Sequence, residues 1–421
     1  YASALEGFAK ADINDDSKDL RPLLDLIAKA APAPTGDMDA PFLMQVSTLG
    51  YDDYLGRQLC GRILQGTVSQ NDTVMHIDKE KKESSKTITK VEGYLGLEKV
   101  PLEKAGVGDI VCLSGVPEVM IGDTICNSEN KIELPPITLE EPTVSVDILV
   151  NDGPFVGKSG KHVTMNKIRE RLLKEKKTNV TYDIIEPPGD QTKITVAGRG
   201  ELHLSILMEA MRREGFEFCV SKPKVIIKEI DGVKCEPFSA VHIEVPEEYG
   251  GAVIEQLSTK KGEMQQLNTD DKGISHMDFL IPTRGIMGYR NSFLSATRGL
   301  GILTATFDSY HPWKGEITGR IRGVLVAMGS GKANSYACFN LENRGFLFVK
   351  PGDEVYEGMI VGENRRDNDL LVNILKGKQL TNVRASGSDE SIILTPPKQY
   401  NLEEAIGYIN DDELIEVTPE H

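Results

Sequence analysis

No run of apolar residues in the chain approaches the roughly 20 that cross a bilayer as a helix, so a membrane-spanning helix is excluded and no membrane partner is expected. Cysteine is scarce. Six are scattered singly through 421 residues, at Cys60, Cys112, Cys126, Cys219, Cys235 and Cys338, with no C-x-x-C pair. That spacing suggests neither a zinc site nor a disulfide framework; buried free thiols in a reducing cytoplasm are expected, and no metal ligand is assigned. Positive charge is also short, with 48 Lys and Arg against 64 Asp and Glu and a net charge of −16. A generic nucleic-acid binder, whose affinity comes from neutralising phosphates, is disfavoured. The deficit is uneven, however. Residues 1–140 hold 14 basic against 23 acidic side chains, whereas residues 151–224 hold 14 against 10. An acidic protein can still meet RNA through one locally basic face.

What the chain does have is clearest between Lys193 and Val220. Lys193 to Val196 alternates polar and apolar residues as a half-buried strand does, and Gly198-Arg199-Gly200 permits a sharp turn. A helix is predicted from Glu201. Leu204, Leu207, Met208 and Met211 form its core stripe, while Glu201, Ser205, Glu209 and Arg212 are expected to face water. Gly215 closes the helix, and Phe216, Phe218 and Val220 alternate with Glu217 and Cys219 in a returning strand. His203 and Glu201 have no metal or catalytic spacing, so this segment reads as a packing unit.

The string GRGELHLSILMEAMRREGF resembles a segment in the third domain of elongation factor G and its relatives, and more specifically the TypA/BipA translational GTPases. The resemblance continues through nearly the whole chain. It implies a multidomain β and α+β architecture: the end of a GTPase domain and a linker over 1–36, a translation-factor β-barrel over 37–138, ferredoxin-like domains over 139–230 and 231–310, and a mostly β C-terminal domain with a short helix over 311–421. It also implies that Ser3-Ala4, within YASAL, is the remnant of a guanine-contact loop. GTP and Mg2+ would then belong to a complete family member, with no cofactor held by these residues.

Each region has its own pattern. An amphipathic helix is predicted from Asp19 to Ala30 with Leu20, Leu23, Leu24 and Ile27 on one side, ended by Pro32 and Pro34. Short β-rich runs at Phe42 to Thr48, Leu59 to Leu64, Thr73 to Ile77, Lys86 to Val91 and Ile110 to Ser114 predict a closed antiparallel barrel. Within it Gly61 to Val68 and Ala105 to Ile110 resemble the second domain of translation factors. Glu141-Pro142 and Glu236-Pro237 then open two copies of one β-α-β-β-α-β plan, with strands from Thr143 and Phe238 and helices at Tyr249 to Lys260 and Tyr289 to Thr297. From Trp313 the chain resembles only the TypA/BipA C-terminal domain. Strands are expected at 323–327 and 345–349 and a helix at Leu402 to Ile409.

Candidate RNA contacts come from two basic runs. Lys158, Lys161, Lys167, Arg169, Arg171 and Lys174 crowd into the third domain, with no interleaved aromatics for base stacking. Lys376, Lys378 and Arg384 lie in a stretch to Ser388 that contains no acid and little apolar surface; an exposed loop, ordered only by RNA phosphates, is expected there. A solvated charged face is the plain alternative for both. The resemblance implies the ribosome as partner: ribosomal RNA near the factor-binding site, and the acceptor end of a transfer RNA. It further implies roles in ribosome assembly, translation and stress adaptation, performed as a cytoplasmic monomer. The family's basic C-terminal tail is expected to be absent here. A protein-binding scaffold without RNA contact and an enzyme with a site in these residues are the rival readings, but no catalytic triad is found.

No phosphate loop is present. Gly153-Pro154-Phe155-Val156-Gly157-Lys158-Ser159 has three residues between its glycines where the loop requires four, and Gly329-Ser330-Gly331-Lys332-Ala333 lacks both the first glycine and the magnesium-binding hydroxyl. Both are expected to be turns. Asn166-Lys167-Ile168-Arg169 has arginine where a carboxylate must accept from guanine. We expect no binding of labelled GTP to residues 1–421 at micromolar concentration; competitive, saturable binding in that range would overturn this.

Overall fold

The computed structural model describes residues 1–52, 54–129, 131–137, 140–187, 189, 192–317, 319–377 and 393–420. Two compact units are present: Tyr1–Leu139 with Lys177–Val180, and Glu140–Lys176 with Thr181–His421.

The first unit opens with a hairpin, Ala2–Ser3 against Phe8–Ala9, and the helix Arg21–Ala30. The helix forms as its spacing requires, with Pro22 in the first turn, but its apolar stripe is exposed. The barrel follows. Thr73–Ile77 and Ile110–Ser114 match their expected bounds, and Gly56–Gln65 exceeds them. Two expected strands are each divided: Phe42 to Thr48 becomes Leu43–Gln45 and the start of Thr48–Asp52, and Lys86 to Val91 spans the end of Glu83–Thr87 and the start of Lys90–Leu95. The second division closes the barrel. Glu83–Thr87 pairs with Thr73–Ile77 at one end of the sheet, while Lys90–Leu95 pairs with Ile110–Ser114 near the other, so one continuous piece of chain belongs to both ends. Fully buried Met44, Leu59, Ile63, Ile88, Leu113 and Ile125 fill the interior.

Cys60 and Cys112 are register partners on adjacent strands of this barrel and form a disulfide. This corrects the expectation of free thiols for that pair, which antiparallel pairing sets face to face although 52 residues separate them. Cys126, Cys219, Cys235 and Cys338 are free and buried, as expected. Burial raises the thiol pKa of Cys126, Cys219 and Cys338, which suits structural rather than reactive cysteines.

The second unit contains both predicted β-α-β-β-α-β copies. In the first, the sheet order places the second strand Asp183–Ile185 beside the third, Lys193–Gly198, then the first, Val144–Leu149, and the fourth, Phe218–Ser221. The second copy has the same order, with Glu263–Thr269, Ile274–Pro282, Val233–Pro246 and Ile302–Pro312. Both are the ferredoxin-like order. Beyond residue 323 a further sheet of Val324–Ala327, Gly345–Leu347, Ile360–Asn364 and Leu370–Val372 carries a helix, Ser335–Glu342, that the sequence reading leaves out. The predicted terminal helix runs Leu402–Tyr408, capped reciprocally by Asn401 and Glu404.

The C-terminal segment returns to the first ferredoxin-like domain. Leu414–Val417 adds an antiparallel strand beside Phe218–Ser221, and Ile406 and Val417 join that domain's core. The face of helix Glu201–Arg213 expected to meet water is therefore largely covered. Ser205 is buried, Arg212 donates to the Pro419 carbonyl at 2.7 Å, and Glu201 accepts from the Gly288 N–H at 2.9 Å. Gly288 and Gly407 meet backbone to backbone: a Cβ on Gly407 would lie 2.7 Å from the Gly288 Cα. Glycine is required by that approach.

Burial at this junction pushes the Glu201 carboxyl up to about 7 from its ordinary 4.5, against the Gly288 hydrogen bond, with Glu403 adding repulsion. Between those two values the folded chain holds more protons than the unfolded one, so this group's contribution to stability falls as pH rises from about 4.5 through about 7. Glu201→Gln should remove that slope and raise the melting midpoint above pH 7, read from thermal unfolding at pH 5 and pH 8. Equal pH dependence in the two proteins would contradict the assignment.

Candidate nucleic-acid interface

The glycine string over 153–159 folds as a turn whose donors are taken by the protein itself. Glu217, with no exposed surface, accepts from the N–H of Gly157 at 3.0 Å, the N–H of Gly160 at 2.9 Å and the Asn151 side chain at 2.9 Å. A buried carboxylate thus stands where a phosphate loop would present its anion. Asn151 also accepts from the Gly153 N–H at 2.9 Å, which fixes the start of the turn. Glu217 and Cys219, which alternate with Phe216, Phe218 and Val220, are buried as well, because this loop covers one and Tyr356 and Glu416 lie near the other. The second glycine string enters the two-residue strand Gly331–Lys332, paired with Glu354–Val355.

The basic run of the third domain is placed by helix Met165–Thr178, whose buried face is Met165, Ile168 and Leu172. Its other positions carry the charge. Lys167 pairs with Glu170 at 3.1 Å, and Arg169 with Glu186 at 3.1 Å. Arg171 is half-buried and makes a bidentate contact with Glu214 at 2.6 and 2.8 Å, plus one to Glu175 at 2.8 Å. These acceptors raise its pKa, so Arg171 stays charged but is committed to the fold. Lys158 sits over the Phe155 ring at 4.1 Å and reaches Glu354 at 2.9 Å. Lys161, ahead of the helix, is exposed and pairs with no carboxylate among the described residues; Lys174 is exposed on helix Met165–Thr178.

Lys376 is exposed, whereas Lys378 and Arg384 lie outside the described residues. Ser3 and Ala4 lie in the opening hairpin and the turn that follows its first strand. Ser3 Oγ accepts from the Glu6 N–H at 3.3 Å and its carbonyl from Gly7 N–H at 3.0 Å, which closes the opening hairpin. His203 has a packing role: its ring stacks on Tyr182 at 3.9 Å, and its carbonyl accepts from the Tyr182 hydroxyl at 2.8 Å. The sequence reading missed the acidic partners of the basic run. Glu214 is 43 residues from Arg171, and only the packing of two helices in one domain brings them together.

Three family models match the chain: Elongation factor Tu domain 2 over residues 56–126, Elongation factor G C-terminus over 233–321, and TypA/BipA C-terminal domain over 322–421. Curated relatives cover its whole length. Proteins named "Large ribosomal subunit assembly factor BipA" are 47% identical over 423 residues in Bacillus subtilis and 47% over 420 residues in Escherichia coli K12, and each alignment takes in all of this chain and 69% of the relative. The Haemophilus influenzae protein of that name is 46% identical over 421 residues, with 68% of its length covered.

Glu217→Ala would take the acceptor from the Gly157 and Gly160 N–H groups and leave the buried Asn151 amide without this partner, at a cost of about 1–3 kcal/mol. Hydrogen exchange should show the Gly157 and Gly160 amides losing protection, together with a lower urea midpoint. Unchanged protection at both would show that the turn is held by other contacts.

Proposed function

The chain belongs to the TypA/BipA family, and from that premise we propose that residues 1–421 are the ribosome-binding portion of a large-subunit assembly factor. The observation that carries this is the similarity running through the entire chain to proteins named for that assembly role, with the barrel, both ferredoxin-like domains and the C-terminal domain all present. The partner is the ribosome, met in the cytoplasm by a monomer. Within it we assign ribosomal RNA near the factor-binding site to the third-domain face, and the acceptor end of a transfer RNA to the loop that begins at Lys376.

The chemistry of the first assignment is phosphate contact. Helix Met165–Thr178 carries six basic and two acidic side chains, and its ion pairs are at or near the surface. Exposed pairs of this kind contribute about 0–1 kcal/mol, so Lys167 and Arg169 can exchange carboxylate for phosphate at small cost, while Lys161, Lys174 and Lys158 add charge at the periphery. Arg171 holds the helix in place. GTP hydrolysis with Mg2+, a role in translation and in stress adaptation follow from the family reading; a phosphate loop for the hydrolysis is not supplied by these residues.

Sedimentation with ribosomal subunits across a salt series tests the proposal. Binding should weaken steeply as salt rises. Changing Lys376, Lys378 and Arg384 together to alanine should weaken it further and flatten the slope of log affinity against log salt by about two to three, with the melting midpoint nearly unchanged. Wild-type affinity and slope in that variant would remove the loop from the interface. Salt-independent association would instead mark a protein contact without RNA.

A further inference from the structure

The sheet of the second ferredoxin-like domain buries one face and opens the other. Val241, Ile243, Val245, Met277, Phe279 and Ile281 point inward, against the helices Glu247–Thr259 and Tyr289–Ala296. Between them, on the outer face, the strand period of two presents His242 and Glu244 from one strand and His276 and Asp278 from its neighbour. The register sets His242 opposite Asp278 and Glu244 opposite His276, so the histidines lie on one diagonal of a square and the carboxylates on the other.

The atoms converge. His242 Nε2 is 3.4 Å from Glu244 Oε1, and His276 Nδ1 is 3.7 Å from that same oxygen. One ligand atom from each of the three residues lies within 4.8 Å of the others. A tetrahedral zinc ion with ligands at about 2.0–2.1 Å keeps neighbouring ligand atoms about 3.3–3.4 Å apart. Two of the three separations are already within a few tenths of an ångström of that. The third closes by rotation of imidazoles that are more than a third exposed.

The remaining ring nitrogens are also provided for. His242 Nδ1 is 2.7 Å from Asp278 Oδ1, a hydrogen bond in which the ring nitrogen donates, while Nε2 faces Glu244; a metal would take the ring in its neutral form, with Nε2 unprotonated. His276 Nε2 faces Asp270 Oδ2 at 3.8 Å, from the turn that joins the two strands Glu263–Thr269 and Ile274–Pro282. The Asp278 carboxylate hydrogen-bonded behind His242 is the arrangement that orients a metal-binding histidine and strengthens it as a donor, and Asp270 stands behind His276 at ion-pair distance.

We propose that His242, Glu244 and His276 bind a divalent transition-metal ion of the zinc class, with Asp278 and Asp270 as positioning residues. Two nitrogens and one oxygen suit zinc, cobalt, nickel or copper; magnesium and calcium require mostly oxygen donors. Three protein ligands on an open sheet face leave a fourth position for water or for a ligand from a partner. A recess of about 430 Å³ borders His242 and Asp278. Sequence inspection misses the site because its two halves, H-x-E and H-x-D, are 32 positions apart and acquire meaning only through strand register.

The test is titration of the whole chain with Co2+, read by its visible ligand-field absorption, with Zn2+ in competition. One equivalent should bind with a tetrahedral or five-coordinate spectrum that Zn2+ abolishes. The double change His242→Ala and His276→Ala should weaken binding at least a hundredfold, and Asp278→Asn, which touches no metal, by about ten- to a hundredfold. The Asn variant keeps the side chain's shape and so gives a reading even if the double variant folds poorly. A spectrum that persists at wild-type affinity in the double variant, or no stoichiometric binding by the wild type, would overturn the proposal.

Discussion

Two carboxylates with no exposure to water organise the second unit, and each obeys the requirement that a buried charge be met by donors on every side. Glu217 gathers two backbone N–H groups and the Asn151 amide around the loop over 151–160. Glu236 does the same for the second ferredoxin-like domain: Arg284 reaches it at 2.5 and 3.1 Å, and the Lys314 N–H at 2.9 Å. Arg284 in turn lies against the Trp313 ring at 3.8 Å. Each acid therefore fixes the path of backbone that has no regular structure of its own. Replacing such an acid by an apolar side chain would leave the donors stranded, which explains why polar residues can be obligatory in a core.

The same physics separates a turn from a nucleotide site. Glycine spacing describes where backbone donors can point; it does not say what already accepts from them. In this chain the acceptor is internal, Glu217 just ahead of the strand Phe218–Ser221, and the loop is a structural part of its domain. Surface basic residues raise the parallel question. Most of the third-domain set have carboxylates nearby, so what they offer an RNA is exchange of one anion for another, apart from residues such as Lys161.

Elements whose cause is local were legible. The β-rich runs Thr73–Ile77 and Ile110–Ser114, and the stripe Leu204, Leu207, Met208 and Met211, depend on residues a few positions apart, and the structure forms both strands and buries the stripe. Distant causes were not. Ser205 reads as solvent-facing until a helix two hundred residues later is laid beside it; Cys60 and Cys112 read as unrelated until two strands pair. The break within Lys86 to Val91 arises because the chain must change partners there to close the barrel. Of the candidate interface, residue identity and local charge were visible in advance, while the commitment of Arg171 to Glu214 required helix packing.

The strand Leu414–Val417 has a consequence for biosynthesis. A ribosome emits the first ferredoxin-like domain long before it emits residues 402–417, so the edge of Phe218–Ser221 and the flank of helix Glu201–Arg213 must wait without their cover. An uncovered edge strand is a template for pairing with other chains. The late pairing also closes a loop of nearly two hundred residues, an ordering step whose entropic cost falls after the intervening domains have formed and shortened the effective tether. The third domain in the order of synthesis is accordingly among the last to reach its final form.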